Sequence, residues 1–267
     1  MTDRYAVIGH PVAHSKSPWI HAEFARATGQ NLEYLRIEAP RDGFARSVDE
    51  FRAAGGRGAN VTLPFKDEAF LYCRGEVSPR AQEAQAVNTL IFESGGVRGD
   101  NTDGIGLLRD LTVNLGRAIA GKRILLMGAG GAAQGVLGPL LAAGPARLAL
   151  ANRTAHKARA LARCYRAVAG GGFEEFGGER FDLVINATAA GLADQAPRLP
   201  PGVFAPGALA YDMVYGRDTP FLAMARAAGA EARDGTGMLV EQAAESFLLW
   251  RGMRPDTAPV RAALSPH

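Results

Sequence analysis

The chain has 267 residues, 47% hydrophobic and 21% charged, with 33 glycines and only 7% aromatics. These are ordinary globular values, enough for one large domain or two modest ones, and the glycine suits tight packing of helices on a sheet. The formal net charge is +3, with Lys and Arg scattered rather than blocked; this argues against nucleic acid as a partner and leaves a slight bias that helps anionic small molecules approach.

Cys73 and Cys164 lie far apart in no shared motif, as expected of reduced thiols in the cytoplasm. Asp3 and Arg4 precede a short apolar run, which is not a signal-peptide pattern. Short strands and helices alternate through the first third. Residues 5–9 read as a strand. In His14-Ser15-Lys16-Ser17-Pro18 the pattern predicts a helix to about Thr28, capped by Ser17 with Pro18 at its first position. A strand over 32–37, a helix over 41–54 ending at Gly55-Gly56, a strand over 58–62 and a helix from Phe65 follow. Residues 87–92 and 97–99 read as a hairpin, and 104–115 as a helix.

The apolar run 124–127 enters Gly128-Ala129-Gly130-Gly131-Ala132-Ala133 and then a helix over 134–143. Strands are expected at 147–151, 181–186 and 208–212, then a long helix over 238–251 and a short closing one. The glycine-rich stretch 169–178 carries no signal. Residues 124–146 have no charge and are long enough to span a membrane. Their glycines, Gln134 and Pro139 favour a buried strand–turn–helix with no membrane partner, with Pro139 kinking the helix or sitting where a carbonyl is free.

A strand, a glycine turn and a helix N-terminus form a pyrophosphate cradle. Gly128 makes the turn, Gly130 admits the phosphates, and Ala133 takes a third position that needs only a small residue. An NAD site places an acid at the tip of the next strand. Here that tip is Asn152-Arg153-Thr154, with Lys157 one turn on, so the expected cofactor is NADP(H).

Four polar clusters lie where strands end or loops begin: Ser15/Ser17; Asn60-Val61-Thr62 with Lys66; Asn88-Thr89; and Asp100-Asn101-Thr102-Asp103. Singly, each has a plain reading as a cap, a turn or a solvated charge. His10, His14 and His21 fit no zinc spacing and read as loop surface.

Together, and ahead of the NADP turn, these clusters resemble the shikimate dehydrogenase family over almost the whole length, from Val7-Ile8-Gly9-His10-Pro11 to Gly235-Thr236-Gly237-Met238 and Gln242. The resemblance implies that Ser15 and Ser17 hold a substrate carboxylate, with Tyr215 nearby. It implies that Asn60, Thr62, Asn88 and Gln242 bind ring hydroxyls, and that Lys66 and Asp103 are the catalytic pair. Gly128, Ala129, Gly130, Gly131, Ala132, Ala133, Asn152, Arg153, Thr154, Lys157, Thr188, Met213 and Gly235 match cofactor contacts. The implied reaction is reversible NADPH-dependent reduction of 3-dehydroshikimate to shikimate, in a monomer or homodimer.

The expected fold class is α/β. An N-terminal substrate domain (1–103) precedes a Rossmann-type doubly wound nucleotide-binding domain (104–237), with a cleft between them, and C-terminal helices (238–267) return to the first domain. One departure is visible: Ala189 and Ala190 stand where the family usually shows serine. The rival readings are a quinate/shikimate dehydrogenase of broader substrate use and a non-catalytic sensor of the same ligands.

Overall fold

A computed structural model describes residues 2–188 and 196–264; the Ala189/Ala190 departure lies outside them. The chain divides into two compact units, Met1–Gly106 with Val240–Ala263, and Leu107–Leu239 with Leu264–His267.

The first unit contains β1 (Asp3–Gly9), α1 (Ser17–Thr28), β2 (Leu32–Glu38), α2 (Phe44–Ala53), β3 (Gly56–Val61), α3 (Lys66–Tyr72), α4 (Pro79–Ala84), β4 (Thr89–Glu93) and β5 (Gly96–Asp100). Its sheet runs β2-β1-β3-β4-β5. β1 is parallel to both neighbours, whereas β3, β4 and β5 pair antiparallel. β1 is buried from Tyr5 to Gly9, as a central strand covered on both faces must be. Ile8, Phe44, Val61, Phe65 and Leu90 pack on one side; Tyr5, Val7, Val12 and Tyr34 pack on the other, with Trp250 against them.

Ser17 is not the cap of α1. Lys16 holds that position, Ser17 is the first helical residue, and the Ser15 hydroxyl accepts the Ser17 N–H at 3.2 Å. The side chain that serves the helix start thus stands two residues earlier than the Ser-Pro signature indicates. His21 also departs from expectation. It is fully buried on α1, with its ring stacked on Tyr34 at 4.3 Å.

The chain continues through α5 (Asp103–Arg109), a π-helical turn (Asp110–Asn114), β6 (Arg123–Met127), α6 (Gly131–Ala142), β7 (Arg147–Ala151), α7 (Ala155–Ala162) and β8 (Val168–Gly171). A 3₁₀ turn (Phe173–Phe176), β9 (Phe181–Asn186), β10 (Phe204–Asp212), α8 (Pro220–Ala227), β11 (Glu231–Arg233), α9 (Thr236–Arg251) and α10 (Ala258–Leu264) complete it. The second sheet is parallel throughout, in the order β11-β10-β9-β6-β7-β8. Counted from β6, this is the 3-2-1-4-5-6 order of doubly wound nucleotide-binding sheets.

The stretch 169–178 is not featureless. It holds most of β8, whose residues pair with β7 from Leu148↔Val168 to Ala151↔Gly171. The uncharged stretch 124–146 is β6, the turn and α6, with Pro139 inside the helix. Among the described residues no helix is long and apolar enough to cross a membrane.

The C-terminal helices of the first unit are fastened by charge. Glu241 on α9, 1% exposed, accepts Arg254 Nη2 and Thr257 Oγ1, each at 2.6 Å. Glu245 takes Arg254 Nη1 at 2.8 Å and Arg80 Nη1 at 3.1 Å.

Candidate active site

In the first unit the polar clusters gather at the C-terminal ends of β1 and β3, where open α/β sheets place ligands. The two loops are tied together, Thr62 N–H donating to the Ile8 carbonyl at 2.9 Å and His10 N–H to that of Leu63 at 2.9 Å. Ser15 is half-buried and Ser17 buried, and the Ser15 carbonyl is clamped by Arg36 at 2.7 and 3.1 Å.

Lys66 opens α3 and Asp103 opens α5. They are 37 positions apart, yet Nζ donates to Asp103 Oδ2 at 2.6 Å. Their side chains are 15% and 7% exposed, so the pair is shielded but reachable. The other Asp103 oxygen accepts Asn88 Nδ2 at 2.9 Å, and its backbone N–H donates to Asn101 Oδ1 at 3.1 Å. Asn101 in turn donates to the Ala86 carbonyl at 3.0 Å. An ammonium held by one carboxylate oxygen keeps two further N–H bonds to offer. This is the equipment of a proton donor to an oxygen that gains charge.

Asn88 joins β4 to the site. Its Oδ1 accepts the Thr102 N–H at 2.8 Å and the Thr89 hydroxyl at 2.9 Å. Gln242, on α9, lies 3.4 Å from both Asn88 Nδ2 and Thr102 Oγ1. Thr89, Thr102 and Ser246, all fully buried, belong to this cluster although sequence reasoning assigned them no role. For Ser246 the only local signal is its place one helical turn after Gln242. Burial holds the Tyr34 phenol well above its usual range, and burial drives the neighbouring His21 imidazole down to about 3. Tyr215 belongs to the second unit.

In the second unit, β6 ends at Met127, Gly128 follows at φ 112° and α6 begins at Gly131. Gly130 precedes α6 with no side-chain cap, and a Cβ built on it meets nothing within 4 Å. The first N–H groups of a helix have no intrahelical acceptor. Open space in front of them fits a pyrophosphate, so the residues present suit a dinucleotide.

Arg153 and Lys157 are exposed at the tip of β7 and the start of α7. The Asn152 amide donates to the Thr154 carbonyl at 3.0 Å and shapes the loop between them. At the ends of β9 and β10, Thr188 donates to Asn186 Oδ1 at 2.7 Å and Met213 N–H to the Asn186 carbonyl at 2.9 Å. Gly235 N–H donates to Val214 at 3.0 Å. Burial pushes the Asp212 carboxyl up, against donation from Thr219, Val214 and Asn186.

Residues 7–90 match the family described as shikimate dehydrogenase substrate binding domain. Residues 111–193 match shikimate / quinate 5-dehydrogenase, and 235–264 match the shikimate 5'-dehydrogenase C-terminal domain. A shikimate dehydrogenase (NADP(+)) of Aromatoleum aromaticum is 62% identical, over 98% of this chain and 96% of that protein. One from Methylobacillus flagellatus is 57% identical over 98% of each. Among solved structures, the Thermus thermophilus shikimate 5-dehydrogenase in complex with NADP(H) and shikimate superposes at TM-score 0.89 with 37% identity, covering 98% of both chains.

Proposed function

The chain belongs to the shikimate dehydrogenase family, and from that premise we propose how its residues share the work. It is an NADP-dependent oxidoreductase that interconverts 3-dehydroshikimate and shikimate, a step toward the aromatic amino acids. The second unit takes the dinucleotide: residues 128–133 would hold the pyrophosphate, and Asn152, Arg153, Thr154 and Lys157 the 2′-phosphate, with Thr188, Met213 and Gly235 at the far end. When bound, NADPH supplies the hydride.

The first unit takes the substrate. Ser15 and Ser17 hold its carboxylate, with Tyr215 a further contact, and Thr62, Asn88 and Gln242 face the ring hydroxyls. The substrate's keto oxygen must gain a proton as its carbon is reduced. Lys66 donates it from the ammonium, whose remaining N–H bonds also stabilise the alkoxide as it forms. Asp103 keeps that ammonium in place and accepts from the product hydroxyl; in the reverse direction Lys66 takes the proton back. Cytoplasmic work, supported by the metabolic role of the relatives, belongs to the same reading, as does a monomer or homodimer.

The observation that carries this reading is the 2.6 Å contact between Lys66 and Asp103, with the second carboxylate oxygen held by Asn88. The test is a spectrophotometric assay of reduced nicotinamide, with shikimate or quinate each supplied against NADP and NAD. Turnover of shikimate with NADP well ahead of the other three combinations is expected. Equal use of quinate would make the enzyme a quinate/shikimate dehydrogenase. Binding without turnover would make it a sensor.

A further inference from the structure

Asn60 spends its polar atoms inside the protein. Its Oδ1 accepts the Tyr34 hydroxyl at 2.7 Å. Its Nδ2 lies 2.9 Å from Ser246 Oγ, 3.1 Å from the Asn88 carbonyl and 3.2 Å from Thr89 Oγ1. A carbonyl can only accept, so the amino end of the amide must face Asn88. The oxygen therefore faces Tyr34, which donates its single proton. Two N–H bonds already share three acceptors, and the residue is 6% exposed. A side chain so engaged is better suited to hold its neighbours than to grip a ligand.

Those neighbours lead to the carboxylate of the catalytic pair. Ser246 Oγ also lies 2.9 Å from Thr89 Oγ1 and 3.3 Å from Thr102 Oγ1. The Thr89 hydroxyl and the Thr102 N–H both donate to Asn88 Oδ1. Together they leave the Asn88 amino group, and not its oxygen, facing Asp103 Oδ1. A turned-over Asn88 would set oxygen against carboxylate and loosen the partner of Lys66. The Tyr34 ring is itself fixed, parallel to His21 within 5°.

We propose that Tyr34 and Ser246 are positioning residues of this reaction, acting through Asn60 and Asn88 to hold the Asp103 carboxylate in register with Lys66. Tyr34 comes from β2, Asn60 from β3, Thr89 from β4 and Ser246 from α9. One buried network thereby makes the catalytic geometry depend on four separate elements. The proposal rests on the dehydrogenase reading above.

The test is steady-state kinetics with shikimate and NADP, alongside thermal midpoints, for Tyr34→Phe, Ser246→Ala and the double variant. Tyr34→Phe removes one oxygen and leaves the ring in its stack, so the fold is not emptied. Each single variant is expected to lower kcat about three- to tenfold, the scale of one lost buried hydrogen bond. The KM for NADP should stay within about twofold, since neither residue lies in the nucleotide-binding unit. The double variant should lose less than the product of the two, because both act through the same amide.

Unchanged kcat with only a lower thermal midpoint would reduce both residues to structural ones and overturn the proposal. So would losses that multiply in full. A wild-type enzyme inactive on shikimate would instead remove the functional premise, a separate outcome read from the control.

Discussion

Removing the Lys66 ammonium tests the chemistry most directly. Lys66→Ala takes away the donor that sits 2.6 Å from Asp103 Oδ2. Asp103 itself should stay in place, because Asn88 holds Oδ1 at 2.9 Å and Asn101 accepts its backbone N–H at 3.1 Å. The serines and Gln242 are untouched, so substrate binding should change little. Loss of a general acid lowers turnover by about 10²–10⁴-fold, which at about 1.4 kcal/mol per tenfold is a barrier increase of about 3–5 kcal/mol.

The variant also leaves a carboxylate only 7% exposed without its ion partner. The retained Asn88 bond limits that penalty to about 1–3 kcal/mol of stability. The assay is kcat and KM for shikimate and NADP, with a denaturant midpoint to show that the variant is folded. A near-normal kcat would refute the role. A KM raised by the full factor with kcat unchanged would make Lys66 a binding group and not a proton donor.

Arg153→Ala should weaken NADPH by about 1.5–3 kcal/mol through loss of a charge-assisted contact, with NADH little affected; equal losses with both would count against 2′-phosphate recognition. Stability should fall in mild acid because of His21. Its imidazole sits near 3 when folded against a usual 6.5, so the unfolded chain takes up the proton first. That contribution is whole above pH 6.5 and drains away as the pH drops toward 3, by about 2 kcal/mol at pH 5. Chemical denaturation at pH 7 and 5 should show a steeper loss for wild type than for His21→Gln, and parallel slopes would dismiss the argument.

Two glycines should separate binding from folding. Gly130→Ala enters open space and should leave the thermal midpoint in place while weakening NADP by about 1–3 kcal/mol. Gly237→Ala would drive a Cβ into the Asp110 carboxylate. That carboxylate is pinned by Tyr211 at 2.7 Å and Asn114 at 2.8 Å, so the variant should lose at least about 1–3 kcal/mol of stability. The reverse pattern would mean that neither site is as described.

What the sequence made legible was mostly short-range. β7 and β9 begin and end where 147–151 and 181–186 were expected, because each is a compact hydrophobic run bounded by polar or glycine residues. The glycine turn before α6 is a contiguous signature. α4 and α8 begin at Ser78-Pro79 and Thr219-Pro220, with capping hydroxyls that do bond to Ala81 and Leu222. They were overlooked because six and eight residues give too little periodicity to register.

The Lys66–Asp103 contact could not be derived from spacing; only likeness to a family pointed to it. The Tyr34–Asn60 bond was out of reach for a different reason. It exists because β2 and β3 flank β1, Tyr34 lying opposite Tyr5 and Asn60 opposite Val7. Sheet order is a property of the whole fold and not of any window of sequence.

The seating of Glu241 bears on how the protein should be handled. A carboxylate walled off from water is balanced by the guanidinium of Arg254, with a hydroxyl donated by Thr257 and Arg261 at 3.9 Å, all from positions 254 onward. Trimming the polypeptide ahead of those positions would strand an anion inside the hydrophobic interior. The segment from Arg254 onward therefore acts as a counterion to the helix it folds against.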